Sequence, residues 1–171
     1  YMSKIQIMDV TLRDGSYALN FQFTANDTIA IAKALENAGV MLIEVGHGVG
    51  LGASKAGYGD AAETDEAYLQ AAAKTLTKAK FGMFCIPGIA TLEDIDMAAD
   101  YGMGFIRIGT NVTEIADSKV YIEHAKKKGM HVSANFMKSY ALEPMAFAKQ
   151  VKISQEYGAD IIYLVDSAGG M

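Results

Sequence analysis

Several kinds of residue and segment are scarce in this 171-residue chain, and each scarcity excludes a class of protein. It has no Trp, two Pro and one Cys. So little Pro excludes a collagen-like or Pro-rich chain, and one Cys cannot form an internal disulfide, which fits a cytoplasmic location. No apolar run approaches the roughly 20 residues of a membrane span, and no signal peptide is visible. The net charge of −5 argues against a nucleic-acid binder.

The chain is instead rich in apolar residues, which are arranged in short runs. Hydrophobic residues make up 51% of it, enough to exclude a disordered chain and to build one compact domain. The runs are rich in Ile, Val, Phe and Met, as buried parallel strands are. They predict six strands, at residues 5–12, 41–46, 81–86, 105–109, 131–137 and 161–165.

Five amphipathic segments separate these runs and carry helix start and stop signals. Thr91 and Asp94 resemble a capping box, Pro144 suits a first helical position, and Gly residues follow the periodic stretches. The segments predict helices at residues 24–37, 62–79, 91–102, 111–129 and 144–158.

The strict alternation of strand and helix predicts an α/β fold with parallel strands and right-handed crossovers. A (β/α)8 barrel of about 250 residues needs roughly 31 residues per unit, which the strand spacing matches. A doubly wound sheet fits this spacing too, so periodicity alone leaves both architectures open.

Polar residues collect where the predicted strands end, which is where both architectures place their active sites. Arg13, Asp14 and Tyr17 follow the first strand, His47 follows the second and Ser167 follows the sixth. Any one of these could be an ordinary solvated loop residue. Because several meet at one end of the sheet, we interpret them as a candidate site.

Arg13 and Asp14 are the most informative of these residues. A carboxylate at a strand end suits Mg2+ or Mn2+, and a nearby Arg can hold a carboxylate or stabilise an oxyanion. A simple ion pair between Arg13 and Asp14 at the turn is the alternative, and the residues alone leave it open.

A Gly-rich stretch at residues 46–54 contains a formal G-x-G-x-x-A pattern. We reject the dinucleotide-binding interpretation because no helix follows directly and the pattern follows the second strand rather than the first. We expect a mobile substrate loop instead. His47 could be an acid/base or a hydrogen-bonded loop residue.

Two residues inside predicted strands have their own expectations. Arg107 must be paired or face the polar interior, and Cys85 is expected to be a buried thiol.

The sequence DVTLRDG at residues 9–15 resembles the signature of the metal-dependent lyase and synthase superfamily built on the TIM barrel, which includes HMG-CoA lyase. The segments IEVGHG with GLG, YG, IRIGT with TE, and YLVDSAG favour its aldolase branch, represented by 4-hydroxy-2-oxovalerate aldolase. The resemblance covers essentially the whole chain. It implies a partial TIM barrel, with residues 1–171 as its N-terminal part and strands 7 and 8 absent.

The resemblance implies a divalent-metal aldolase that cleaves or forms a 4-hydroxy-2-oxo acid from pyruvate and a small aldehyde. It implies that Asp14 binds Mn2+ or Mg2+, that Arg13 stabilises the pyruvate enolate, and that Ser167 lies near the 2-oxo acid. We also assign His47 to substrate binding. The family's two metal-binding His residues follow strand 7, so they are expected beyond residue 171. The isolated chain is therefore expected to be inactive.

Two departures from the family pattern affect this interpretation. Tyr17 stands where the aldolases have an acid/base His, and Val49 stands where they have Asp. Two alternatives therefore remain: an acyl-CoA-dependent Claisen-type enzyme of the same superfamily, and a non-catalytic module that binds an oxo acid or serves assembly. Uncovered edges of a six-stranded sheet favour a homo-oligomer, and the resemblance adds a weak expectation of an aldehyde dehydrogenase partner.

Overall fold

A computed structural model describes residues 5–169 as one parallel sheet surrounded by helices. The strands are Met8–Asp9 (β1), Leu42–Glu44 (β2), Lys80–Cys85 (β3), Phe105–Asn111 (β4), His131–Met137 (β5) and Ile161–Leu164 (β6). They lie in the order β1-β2-β3-β4-β5-β6, and each neighbouring pair is parallel. A doubly wound sheet would reverse direction at a switch point. The unbroken order therefore confirms a partial (β/α)8 barrel.

Five α-helices connect these strands, as the sequence predicts. They are Ala25–Asn37 (α1), Asp65–Thr75 (α2), Leu92–Asp100 (α3), Lys119–Lys127 (α4) and Pro144–Glu156 (α5). The capping box of Thr91 and Asp94 is present at the start of α3, and Pro144 occupies the first turn of α5. Thr24 and Asp27 form a second capping box at α1. No helix within residues 5–169 is long and apolar enough to cross a membrane.

The first strand is much shorter than predicted. The apolar run at residues 5–12 forms a ladder only at Met8–Asp9, and Ile5 and Ile7 are exposed. The chain turns at Val10, whose carbonyl oxygen accepts hydrogen bonds from the backbone N–H groups of Arg13 and Asp14. This turn ends the strand and places both side chains at the carboxyl edge of the sheet.

The helix predicted at residues 111–129 is wrong over residues 111–118. Asn111 is instead the last residue of β4, where it pairs with Met137 of β5. A 3-10 turn follows at Ile115–Ser118, and α4 begins only at Lys119. The side chain of Asn111 donates a hydrogen bond to Glu114. This local contact imitates a helix start in the sequence, but the ladder with β5 determines the backbone.

The two faces of each strand have different partners. Ile43 of β2, Cys85 of β3 and Ile106 of β4 belong to the hydrophobic core between the sheet and its helices. The intervening residues Glu44 and Arg107 contact each other on the concave face. Because side chains alternate along a strand, this face carries the polar residues that build the site.

Candidate functional site

A cavity of about 390 Å3 opens at the carboxyl ends of the strands. Its lining includes Arg13, Asp14, Tyr17 and Ser167, four of the five site residues that the sequence predicts. A second, mainly apolar cavity of about 500 Å3 lies at the opposite end and is lined by Phe105 and other residues at the strand starts. Active sites of parallel barrels lie at the carboxyl ends, so the first cavity is the candidate.

Arg13 and Asp14 form the ion pair that the sequence left open. The Arg13 Nη1 atom lies 2.8 Å from Asp14 Oδ1, and it also donates to the carbonyl oxygen of Gly48 at 3.3 Å. The two side chains nevertheless have different surroundings, because that of Arg13 is 10% exposed and that of Asp14 is 60% exposed. Asp14 is therefore accessible at the rim, whereas Arg13 reaches inward.

Glu44, which is not among the site residues predicted from the sequence, is the buried centre of this arrangement. Its side chain is fully buried, and its Oε2 atom accepts a hydrogen bond from Arg13 Nε at 2.6 Å. Arg107 Nε lies 3.1 Å from Glu44 Oε1, although its N–H is not directed at that oxygen. Buried charges persist only when they are paired, so Glu44 and the two Arg residues stabilise one another. A carboxylate inside an apolar strand was the available signal.

Aromatic rings fix both guanidinium groups. The ring of Phe84 lies 4.9 Å from the guanidinium carbon of Arg13 and 5.2 Å from that of Arg107. Arg107 also lies 5.1 Å from the ring of Tyr163. Cation–π contacts of this kind favour a cation over the ring face. A Cβ on Gly109 would come within 2.3 Å of Phe84, so Gly109 provides the space for that ring.

His47 lies next to the cavity but does not line it. Its ring is buried, with Nε2 3.1 Å from the carbonyl oxygen of Gly59, while Nδ1 accepts a hydrogen bond from the backbone N–H of Val49 at 3.0 Å. This pattern requires the neutral tautomer with hydrogen on Nε2. Burial lowers the pKa of His47, and Phe21 stacks on the ring at 3.9 Å. A direct role on substrate would require one of these hydrogen bonds to break.

The Gly-rich stretch is more closely packed than a mobile loop. Residues 50–53 are buried, the N–H of Leu51 donates to the carbonyl oxygen of Phe84, and the N–H of Gly52 donates to Asp65. Gly50 has a φ of 123°, and a Cβ there would lie 2.5 Å from that same carbonyl oxygen. The expectation of a mobile substrate loop is wrong for this part, because the glycines allow the backbone to pack directly on β3.

Tyr17 and Ser167 occupy the rim on opposite sides of the gap between β1 and β6. Tyr17 lies in the 3-10 turn Asp14–Leu19 and is half exposed. Partial burial raises its pKa, an effect that Asp14 adds to and Arg13 opposes. Tyr17 is therefore a protonated hydrogen-bond donor at neutral pH. The Ser167 hydroxyl oxygen accepts a hydrogen bond from the backbone N–H of Lys138 at 2.9 Å, which fixes its position beside β5.

Asp14 is the only residue assigned to metal binding by the resemblance, and its accessible carboxylate is a hard oxygen donor of the kind that Mg2+ and Mn2+ prefer. Within the described part of the chain, no three His, Cys, Asp or Glu side chains are grouped as a metal site. Asp14 therefore fits the role of one ligand of such an ion.

Comparison with known proteins identifies the family. The family model described as HMGL-like matches residues 4–171. The chain belongs to the HMGL-like family. Two curated relatives are named 4-hydroxy-2-oxovalerate aldolase: one from Pelotomaculum thermopropionicum is 46% identical, and one from Carboxydothermus hydrogenoformans is 43% identical, each over 98% of this chain. The chain spans half the length of these two relatives.

Solved structures that are similar to this HMGL-like chain support the fold. The N-terminal domain of a Bacteroides vulgatus protein assigned as an aldolase matches with a TM-score of 0.73 at 23% identity, over 98% of this chain and 56% of that one. The carboxyl transferase domain of Rhizobium etli pyruvate carboxylase, solved with pyruvate and biocytin, matches with a TM-score of 0.79 at 16% identity, over 98% of this chain and 31% of that one. Such identities establish the barrel fold only.

Proposed function

We propose that this HMGL-like chain supplies part of the active site of a divalent-metal-dependent aldolase, which cleaves or forms a 4-hydroxy-2-oxo acid from pyruvate and a small aldehyde. The observation that carries the proposal is the buried Glu44, which holds Arg13 beside the accessible Asp14 at the cavity. The names of the curated relatives support the same reaction. We propose residues 1–171 as the N-terminal part of the barrel, with the remaining strands contributed by chain outside this sequence.

Arg13 is assigned to the developing negative charge. In the cleavage direction the bond between C3 and C4 breaks, and its electron pair moves into pyruvate to form an enolate. Arg13 donates to Glu44 through Nε, so its terminal N–H groups remain for Asp14, Gly48 and the enolate oxygen. Donors that are fixed before the reaction stabilise such an oxyanion without reorganisation.

Asp14 is assigned as one ligand of Mn2+ or Mg2+. When bound, the metal would act as a Lewis acid towards the 2-oxo group. Arg13 helps to prepare this position, because its ion pair with Asp14 Oδ1 orients the carboxylate. Two His ligands from outside the described residues complete the proposed set.

Tyr17 is assigned to the proton on the 4-hydroxyl oxygen. Tyr17 lines the cavity and its phenol, whose pKa is raised by burial, is protonated at neutral pH, so it can donate a proton to the alkoxide that forms when pyruvate adds to the aldehyde. The cleavage direction needs the opposite transfer, and only the deprotonated phenol can accept that proton. We therefore expect cleavage to accelerate with rising pH up to the raised pKa of Tyr17. Ser167 is assigned to binding the 2-oxo acid, and His47 is assigned to positioning Val49, which lines the cavity and donates its backbone N–H to the His47 ring.

The test uses the complete natural protein with pyruvate and small aldehydes, with and without Mn2+. Metal-dependent aldol turnover, reduced by about 100-fold or more in Arg13→Lys, would support the proposal. Absence of turnover under all these conditions would refute it and favour a non-catalytic module. Tyr17→Phe tests the proton donor, because an unchanged rate would remove Tyr17 from the chemistry.

Association with other chains is a separate part of the proposal. The β1 and β6 edges are unpaired within residues 5–169, and such edges bind further strands. We propose that the isolated chain self-associates, and a monodisperse monomer in light scattering at high concentration would refute this. A homo-oligomer of the complete protein, an aldehyde dehydrogenase partner and a cytoplasmic location remain predictions from the sequence.

A further inference from the structure

Asn135 is a polar residue that the fold buries without a partner for its side-chain oxygen. It is 4% exposed, and its Oδ1 atom makes no hydrogen bond with any of residues 5–169. Buried polar atoms almost always have a partner, and an exception at a cavity indicates a ligand or an ordered water. Asn135 is one of the residues that line the candidate cavity.

The position of Asn135 places it among the residues that fix Arg107. On β5 it pairs with Gly109 of β4 and with Tyr163 of β6, whose ring contacts the guanidinium of Arg107. Arg107 lines the same cavity, and its Nε atom lies 3.1 Å from Glu44 Oε1 in an ion pair without a hydrogen bond. Its terminal N–H groups make no hydrogen bond within residues 5–169, and Asn135 lies two residues beyond Ser133, the β5 residue that pairs with Arg107, so the two side chains lie on the same face of the sheet.

A hydroxyl group matches this pair of protein groups better than an alkyl group does. It can donate its hydrogen to Asn135 Oδ1 and at the same time accept one from Arg107. An alkyl group offers neither a donor nor an acceptor, so it would leave the oxygen of Asn135 desolvated and unpaired, which is unfavourable.

We propose that Asn135 and Arg107 bind a hydroxyl group on the aldehyde half of the substrate, a proposal that rests on the proposed aldolase function. The enzyme should therefore prefer 2-hydroxyaldehydes to alkyl aldehydes. Pyruvate is assigned to Arg13 and Asp14 after β1, whereas Asn135 lies on β5, four strands further along the sheet. The aldehyde half thus extends towards β4 and β5. In the synthesis direction, pyruvate C3 loses a proton and bonds to the aldehyde carbon, whose oxygen gains a proton.

The test compares glycolaldehyde with propanal, which differ by a hydroxyl in place of a methyl group. With the complete natural protein, pyruvate and Mn2+, we expect kcat/KM for glycolaldehyde to exceed that for propanal by about tenfold or more. Asn135→Leu keeps the branched shape and the number of heavy atoms and removes the hydrogen-bonding groups, so this ratio should fall to about one or below. The thermal midpoint of Asn135→Leu should not fall, because a buried unpaired oxygen is removed.

Ser154→Ala is the matched control, because Ser154 also has a buried side-chain oxygen without a partner in the described residues but does not line the cavity. Its aldehyde preference should equal that of the natural protein. Equal rates for both aldehydes in the natural protein would overturn the proposal. It would also be overturned if Asn135→Leu kept the preference, and an accompanying loss of thermal stability would identify Asn135 as a structural residue.

Failure of this inference can be separated from failure of the aldolase proposal by a reaction that needs no aldehyde. Metal-dependent exchange of the pyruvate methyl protons with solvent deuterium reports enolate formation alone. Exchange without any preference for glycolaldehyde would overturn only the assignment of Asn135 and Arg107. Absence of both exchange and aldol turnover would overturn the two proposals together.

Discussion

Glu44→Gln is the perturbation for which the structure gives the clearest magnitude. The substitution keeps the size of the side chain and an oxygen for Arg13 Nε, but it removes the negative charge that faces Arg13 and Arg107. Within residues 5–169, Glu44 is the only carboxylate paired with Arg107, whereas Arg13 also has Asp14. Removing one partner of a buried pair costs about 3–5 kcal/mol. Because Arg13 keeps Asp14 and a hydrogen bond, we expect about 3 kcal/mol.

Urea unfolding of the natural protein and Glu44→Gln measures this loss. Glu123→Gln is the matched control, since Glu123 is an exposed partner of Lys119 at 3.9 Å and exposed pairs contribute about 0.2–1 kcal/mol. Adding Arg107→Met to Glu44→Gln should restore about 1 kcal/mol or more, because it removes one of the two uncompensated charges. If Glu44→Gln lost no more stability than Glu123→Gln, the reasoning that burial makes this carboxylate indispensable would be refuted.

Three further predictions concern other parts of the fold. Burial raises the pKa of Asp65 to about 6, so between about pH 4 and pH 6 the folded state holds a proton that the unfolded state releases. The free energy of unfolding therefore falls as the pH rises through this range. In a pH series of unfolding curves, Asp65→Asn should flatten this part. Gly109→Ala should displace the ring of Phe84 and destabilise the fold by about 1–3 kcal/mol in urea unfolding. Gly88→Ala serves for comparison: the added Cβ meets no atom within 4 Å, so any loss of stability comes from the backbone φ of 86°. The thiol of Cys85 is fully buried, and burial raises its pKa. A thiol reagent should therefore modify Cys85 only after unfolding. Rapid modification of the folded protein would contradict the packing of β3.

The architecture could be predicted from the sequence because buried parallel strands and capped helices leave local signals. The run at residues 131–137 matches β5 at both ends, and Thr91 with Asp94 marks the start of α3. The errors occur where long-range pairing decides the backbone. Asn111 carries a helix-start pattern but is held in β4 by Met137, which is distant in sequence.

The candidate site could be predicted in part, for the same reason. Arg13 and Asp14 are adjacent and follow a strand, so their meeting at the rim requires only a turn. Glu44 and Asn135 acquire their significance from neighbours on other strands, and no local spacing indicates this. His47 lies in a conspicuous motif, but only the structure shows that its ring nitrogens hydrogen-bond Gly59 and Val49, and its role towards substrate stays a prediction.

The shared carboxylate also links the two halves of the proposed reaction. Glu44 pairs with Arg13, which is assigned to the enolate, and with Arg107, which is assigned to the aldehyde hydroxyl, while Phe84 contacts both guanidinium groups. A substitution at Arg107 therefore changes the charge balance around Arg13 as well as the contact with the aldehyde. Arg107→Met should slow deuterium exchange into pyruvate, which involves no aldehyde, whereas Asn135→Leu should leave that exchange unchanged. Equal exchange rates for the two variants would show that Glu44 positions each Arg independently.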